Sequence, residues 1–182
     1  VGSRGLGDVY KRQSWDGGQG TTDNGTGSIV MLEAMRILKK LYPNPKRTIM
    51  VGHWGSEEQG LNGSRAFVED YPEIVDNIQA LFNQDNGTGR VVELSGSGFL
   101  HSYEYLSRWL SAVPNEVVKH IETEFPGSPG SSGTDHASFV AAGAPAFNLS
   151  SLSWAYWDHT WHTNLDTYCL LYTSDAADEY DR

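Results

Sequence analysis

The sequence has little cysteine, little positive charge and no long apolar run. Cys169 is the only cysteine among 182 residues, so an intrachain disulfide and a metal site built from several thiolates are excluded. The 13 basic residues are outnumbered by 23 acidic ones, and the net charge of −10 disfavours nucleic acid or an anionic membrane as a partner. No apolar run approaches the roughly 20 residues that a membrane-spanning helix needs.

The length and the apolar content of the chain fit a single α/β domain. Hydrophobic residues make up 38% of the sequence, including six Trp and nine Tyr, which is sufficient for a core. The apolar spacing predicts an amphipathic helix at residues 26–41 and a buried strand at 47–54. Further strands are predicted within 74–85 and at 90–94 and 144–150, and further helices at 62–71, 102–112, 115–120 and 135–142. This alternation predicts an α/β sandwich around a central sheet.

Two adjacent glutamates, Glu57 and Glu58, follow the predicted strand at residues 47–54. The end of a strand is the usual place for a ligand site in an open α/β sheet. In extended backbone neighbouring side chains point to opposite sides, so the two carboxylates are not expected to do the same job. One could hold a metal ion while the other faces a water on that metal. The alternative is a solvated acidic turn.

Three more candidate ligands lie at strand ends or in loops. Asp23 is in a glycine-rich turn before the first predicted helix, Asp85 ends an apolar run at 78–85, and His162 lies in a Trp-His-Thr segment. Together with Glu58 they give three carboxylates and one imidazole, a ligand set suited to zinc and similar divalent ions. Each of them alone is more often an ordinary turn or capping residue. Their joint order along the chain carries the prediction.

Several ordered motifs resemble the zinc exopeptidases of metallopeptidase family twenty-eight. The resemblance covers about residues 14–168, and its Ser-Trp-Asp opening at 14–16 favours the plasma glutamate carboxypeptidase-like branch. The matching motifs are those at 14–20, 23–25, 57–61, 83–85, 133–139, 143–146 and 162–167. The resemblance implies a three-layer α/β/α sandwich with a mostly parallel mixed central sheet, incomplete in this chain and with exposed edges.

The resemblance also implies how zinc would be held. Asp23 would bridge two zinc ions, Glu58 and His162 would complete one of them, and Asp85 with a family histidine would complete the other. That histidine falls where this chain has Lys11, and a protonated lysine cannot ligate zinc. The intact family has two zinc ions per site. Because Lys11 replaces a ligand of one of them, we expect a single zinc ion here.

The resemblance implies hydrolysis of terminal peptide bonds in a peptide substrate. Glu57 would be the general base that takes a proton from a zinc-activated water and delivers it to the leaving amine. A non-proline cis peptide bond is expected between Asp23 and Asn24. One alternative is a glutaminyl cyclase-like acyltransferase, whose single zinc is held by an Asp, a Glu and a His. The other is a catalytically inactive fragment of the same fold.

The two ends of the chain do not resemble the family. Residues 1–13 and 169–182 look like translated sequencing-adapter read-through, and we expect artefactual or disordered extensions around a partial catalytic domain at 14–168. The location of many relatives suggests a secreted or cell-envelope protein. The sequence predicts no membrane span and no nucleic-acid partner, and it predicts no oligomeric state.

Overall fold

The computed structural model describes residue 15 and residues 17–129 and 133–169. Two π-helical turns, Thr21–Gly25 and Tyr156–Thr160, lie near the ends of this part of the chain. The regular elements are α1 (Thr26–Leu41), α2 (Asn62–Asp70), α3 (Pro72–Val75), β1 (Leu81–Asn83), β2 (Val91–Ser95), α4 (Ser102–Leu110), α5 (Asn115–Val118), β3 (Glu122–Glu124), α6 (His136–Ala141) and β4 (Ala146–Ser151).

Parts of the sequence-based prediction lie outside the described residues. These are the proposed extension at 1–13, including Lys11, and all of the proposed extension at 169–182 except Cys169. Within the described ranges, every helix is too short or too polar to cross a membrane.

The four strands form one mixed sheet in the order β1-β4-β2-β3. β1 pairs with β4 in parallel, β2 pairs with β3 in parallel, and β2 pairs with β4 in antiparallel orientation. Two of the three pairings are therefore parallel, which confirms the predicted mixed, mostly parallel sheet. The parallel pairs need crossover connections, and helices supply them.

Helices cover both faces of the sheet, as the predicted three-layer sandwich requires. Neighbouring residues of β4 point to opposite faces. On one face Ala146 belongs to a buried cluster with Val75 of α3 and Phe139 of α6. On the other face Phe147 belongs to a second cluster with Leu106 of α4. The core is thus divided by β4 into two apolar layers.

The predicted strand at residues 47–54 is wrong. The segment has no strand assignment, and its apolar residues Ile49 and Met50 are exposed. A strand exists only where its N–H and C=O groups pair with a neighbour, and the sheet in the described part of the chain ends at β1. The acidic pair therefore follows an unpaired segment rather than a sheet strand.

Other predictions hold to differing degrees. The helix at 26–41 is confirmed as α1, but Ile29 on its predicted apolar face is 63% exposed. Within 74–85 the strand is restricted to β1, because Pro72 begins the short helix α3. β3 was not predicted, since its Glu-Thr-Glu sequence is exposed at every position and has no apolar alternation. Within the described ranges β1 and β3 are the edge strands of the sheet, and β3 is exposed at all three positions.

Candidate metal centre

Three of the four predicted ligands converge on one point. Nε2 of His162 lies 3.1 Å from Oε2 of Glu58 and 3.7 Å from Oδ2 of Asp23. One ligand atom from each residue lies within 4.8 Å of the other two. Tetrahedral zinc with bonds of about 2.0–2.1 Å places neighbouring ligand atoms about 3.3 Å apart. The donor set and its spacing therefore fit a zinc ion.

Each of these side chains is supplied by a different irregular segment. Asp23 lies in the Thr21–Gly25 turn that leads into α1, and Glu58 lies in the loop before α2. His162 follows the Tyr156–Thr160 turn and has a positive φ of 57°. The side chains of Glu58 and Asp23 are only 5% and 11% exposed, whereas that of His162 is 31% exposed. The centre is thus closed on the carboxylate side and open on the imidazole side.

Asp85 lies close to this group without belonging to it. It follows β1, and the hydroxyl of Thr134 donates a 2.7 Å hydrogen bond to its Oδ2. Burial raises the pKa of Asp85, and the Asp85 charge in turn raises the pKa values of Asp23 and Glu57. The structure therefore brings Asp85 beside the three-residue group, whose members are Asp23, Glu58 and His162.

Glu57 is held in a strongly acidic environment. Burial, followed by the charges of Asp85 and Glu58, raises its pKa to about 9. Burial, again followed by the charges of Asp85 and Glu58, raises the pKa of Asp23 to about 8. Carboxylates crowded in this way repel one another, and a bound dication would offset that repulsion. The electrostatics of the cluster therefore favour a cation ligand.

The turn that carries Asp23 is fixed from both sides. Its peptide bond to Asn24 is cis, as the resemblance implied. The Asn24 amide donates to the backbone oxygen of Gln84 at 3.0 Å, and its Oδ1 accepts from the N–H of Gly27 at 3.2 Å. On the preceding side, Asp166 accepts hydrogen bonds from Thr22 and Asp23. Asn24 thus connects the Asp23 turn to the residue before Asp85.

Aromatic side chains surround the open side of the centre. The indole N–H of Trp15 donates to Oε2 of Glu58 at 2.9 Å, and its ring centroid lies 4.9 Å from that of His162. Trp161 stacks on His162 with centroids 3.9 Å apart. A hydrogen bond from the buried Tyr156 hydroxyl partly offsets the rise in the Asp23 pKa. These contacts hold the imidazole against Glu58.

Sequence reasoning assigned no role to Trp15, Thr134 or Asp166. All three lie inside motifs that carried the resemblance, namely Ser-Trp-Asp, Gly-Thr-Asp-His and His-Thr-Asn-Leu-Asp. Their place in these motifs could have marked them as residues near the site. Asp135 precedes α6 and makes no side-chain capping hydrogen bond to that helix.

The fold is thus a mixed sheet between helices, and a carboxylate–histidine cluster with the spacing of a divalent-metal site lies in its loops. The model of the family described as Peptidase family M28 matches residues 9–178. The chain therefore belongs to peptidase family M28.

Individual relatives agree with this membership. The chain is 31% identical to carboxypeptidase Q of Xenopus laevis over 85% of its own length and 31% of that protein. It is 30% identical to leucine aminopeptidase 1 of Pyrenophora tritici-repentis (strain Pt-1C-BFP) over 81% of its own length and 40% of that protein. The chain thus spans about a third of the length of these relatives.

Solved structures resemble the fold in the same way. A peptidase M28 precursor from Shewanella amazonensis SB2B matches with a TM-score of 0.72 at 24% identity, covering 85% of this chain and 34% of that one. A zinc aminopeptidase from Bacillus subtilis matches with a TM-score of 0.57 at 25% identity, covering 84% of this chain and 38% of that one.

Proposed function

We propose that this protein is a zinc-dependent exopeptidase that hydrolyses terminal peptide bonds. The observation that carries the proposal is the convergence of Asp23, Glu58 and His162 at zinc-ligand spacing, with Glu57 next to Glu58 in the chain. The family membership supports the same class, because its relatives include proteins named carboxypeptidase Q and leucine aminopeptidase 1. A structural relative is named a zinc aminopeptidase.

The proposed roles follow from the chemistry of each side chain. Asp23, Glu58 and His162 would hold the ion, and bound zinc would supply a Lewis acid and lower the pKa of a coordinated water. Glu57 would accept the proton of the attacking water and return it to the leaving amine. Glu57 must be ionised to act as a base. Burial, followed by the charges of Asp85 and Glu58, raises its pKa to about 9, and a bound dication would offset the part that is due to these charges.

We assign one zinc ion to this chain. Asp85 accepts a hydrogen bond from Thr134 and lies outside the three-residue group, and the resemblance places Lys11 at the position of its family partner. A second ion at Asp85 would therefore lack a nitrogen ligand from that position. Asp85 instead contributes negative charge next to Glu57 and Asp23.

Metal analysis and a peptidase assay on the purified 182-residue chain test the proposal. The expected result is about one zinc per chain, in keeping with a closed set of protein ligands plus water. Hydrolysis of leucine p-nitroanilide or of an N-blocked dipeptide should disappear after chelation and return with added zinc. A chain that takes up no zinc, or that hydrolyses both substrates equally well after chelation, contradicts the proposal.

A glutaminyl cyclase-like reaction is the second candidate. The observation that favours it is the composition of the three-residue group, which is one Asp, one Glu and one His, the single-zinc set that the resemblance implies for those relatives. A peptide with N-terminal glutamine separates the two candidates. Release of ammonia with an intact chain indicates cyclisation, whereas release of free glutamine indicates exopeptidase activity.

A further inference from the structure

Asp166 is a buried carboxylate whose hydrogen bonds go to the turn that carries Asp23. Asp166 is only 3% exposed. Its Oδ1 accepts from the backbone N–H of Thr22 at 2.7 Å and from the Thr22 hydroxyl at 2.9 Å. Its Oδ2 accepts from the backbone N–H of Asp23 at 2.9 Å. Three donors on one carboxylate fix both the position and the orientation of this turn.

The charge of Asp166 is stabilised by this turn rather than by a cation. Within the described ranges no Lys or Arg forms an ion pair with it. A buried carboxylate is costly unless it is hydrogen-bonded, so Asp166 depends on the amides of Thr22 and Asp23 as much as they depend on it. These hydrogen bonds give Asp166 a role in holding the Asp23 turn in addition to packing.

The segment that holds Asp166 also supplies His162. The N–H of Asp166 donates to the backbone oxygen of Thr163 at 3.3 Å, which folds the segment into a short turn. At one end of this segment Asp166 accepts a hydrogen bond from the backbone N–H of Asp23. At the other end Nε2 of His162 lies 3.7 Å from the Asp23 carboxylate. A shift of the Asp23 turn relative to this segment would change that distance directly.

We propose that Asp166 is a positioning residue for metal binding, which fixes the amides of Thr22 and Asp23 so that the Asp23 carboxylate meets His162 at zinc-ligand distance. The inference rests on the proposed zinc-dependent function. Asp166 does not contact the ion, and it acts through the backbone of Asp23.

Asp166→Asn is the decisive variant. Asparagine has one acceptor oxygen where aspartate has two, so its amide nitrogen would oppose an N–H donor of Thr22 or Asp23. Asp158→Asn is the matched control, because it removes the same charge from an exposed side chain in the neighbouring Tyr156–Thr160 turn. Thr22→Val and Thr22→Ser form a second pair, in which only serine keeps the hydroxyl.

The readouts are zinc affinity and coordination geometry, measured without substrate. Calorimetric titration of the metal-free 182-residue chain gives the zinc affinity, the visible spectrum of the Co²⁺ form reports the geometry, and circular dichroism reports folding.

We expect Asp166→Asn to weaken zinc binding by about 10–100-fold, the range typical of residues that orient a metal ligand. Its Co²⁺ spectrum should change, which a loss of stability alone would not cause. Asp158→Asn should match the parent, and Thr22→Val should bind several-fold more weakly than Thr22→Ser.

Parental zinc affinity and an unchanged Co²⁺ spectrum in Asp166→Asn would overturn the inference. If that variant does not fold, the Thr22 pair decides, and equal affinities of the Val and Ser variants overturn it. A parent chain that binds zinc but cleaves no peptide contradicts the proposed function alone, because the Asp166 measurement uses no substrate.

Discussion

Nε2 of His162 lies 3.1 Å from Oε2 of Glu58, although 104 positions separate the two residues in the sequence (162 − 58). Burial lowers the pKa of His162, and burial raises that of Glu58. The lowered pKa of His162 favours neutral imidazole, which is the form that ligates zinc. The indole N–H of Trp15 donates to the same Glu58 oxygen at 2.9 Å.

His162→Ala should remove zinc binding more severely than the about 10–100-fold typical of residues outside the ligand set. The reason is that the imidazole is the only nitrogen ligand in the three-residue group. Calorimetric zinc titration measures the effect. His101→Ala is the control, because His101 is exposed next to α4, and it should bind zinc like the parent. Equal affinities in both variants would remove His162 from the ligand set.

Glu57→Gln should lower peptide hydrolysis by about 10²–10⁴-fold, the usual contribution of a general base. Zinc content should stay near that of the parent, because Glu57 is not a member of the three-residue group. Metal analysis and kcat measured on the same preparation give the two quantities. The exposed Glu69 of α2 offers a matched Glu→Gln control that should keep full turnover. Loss of zinc together with turnover would instead make Glu57 a ligand.

The metal-free chain should become less stable as the pH rises from 5 to 8. Burial and neighbouring carboxylates raise the pKa of Glu57 from 4.5 to about 9 and that of Asp23 from 3.8 to about 8. Between these limits the folded chain binds more protons than the unfolded chain, so unfolding releases protons and the free energy of unfolding falls with pH. The contribution is complete below the unfolded pKa values and is lost as the pH rises through the folded ones.

Calorimetric Tm values at pH 5 and pH 8 check this pH dependence. Each kcal/mol lost lowers the Tm of a chain of this size by about 2–4 °C. Glu57→Gln removes one titrating group and should reduce the drop, while Glu69→Gln should leave it unchanged. Zinc added at pH 8 should raise the Tm, because it binds only the folded chain. A Tm that rises from pH 5 to pH 8 without metal would show that these carboxyl groups are not destabilised by folding.

Local patterns predicted the elements that depend on local spacing. The helix α1 follows from apolar residues at helical intervals, and its bounds match the prediction. The segment 47–54 shows the opposite case, because its apolar run is typical of a strand yet no neighbour pairs with it. β3 is the converse, an exposed Glu-Thr-Glu that is a strand only because it pairs with β2. Pairing partners, rather than composition, decide both.

The candidate site likewise contains residues that the sequence motifs predicted and contacts that they did not. The order of acidic and histidine motifs pointed to Asp23, Glu58 and His162, whose side chains do converge. The contacts of Asp166 with Asp23 and of Thr134 with Asp85 are hydrogen bonds across 143 and 49 positions. No periodicity encodes such contacts, so they emerge only once the chain is folded.

Thr134→Val should destabilise the fold by about 1–3 kcal/mol, the cost of leaving buried polar groups without a partner. The buried Thr134 hydroxyl donates to Asp85, and its oxygen accepts from the amide of Asn83 at 2.9 Å and from the N–H of Asp135 at 2.8 Å. Thr134→Ser keeps all three contacts and is the control. Urea unfolding of both metal-free variants at the same pH compares them, and equal midpoints and slopes would mean that this hydroxyl contributes nothing.

Gly27→Ala should destabilise the chain even though alanine is the better helix former. A methyl group on this buried residue of α1 would lie 2.5 Å from the backbone oxygen of Gln84 and 2.7 Å from its Oε1, and it would also collide with Oδ1 of Asn24. Alanine gains about 1 kcal/mol over glycine from helix propensity. Overpacking of a close contact costs about 1–3 kcal/mol, so the contact should outweigh the propensity.

The sign of the change in the free energy of unfolding therefore distinguishes the two effects at Gly27. Gly55→Ala is the control, because a methyl group there meets nothing within 4 Å and should leave the unfolding midpoint near that of the parent. Zinc affinity should fall only in Gly27→Ala, since Asn24 follows Asp23 directly and would be pushed aside. A Gly27→Ala chain that is more stable than the parent and binds zinc equally well would mean that Asn24 and Gln84 yield without moving the metal ligand.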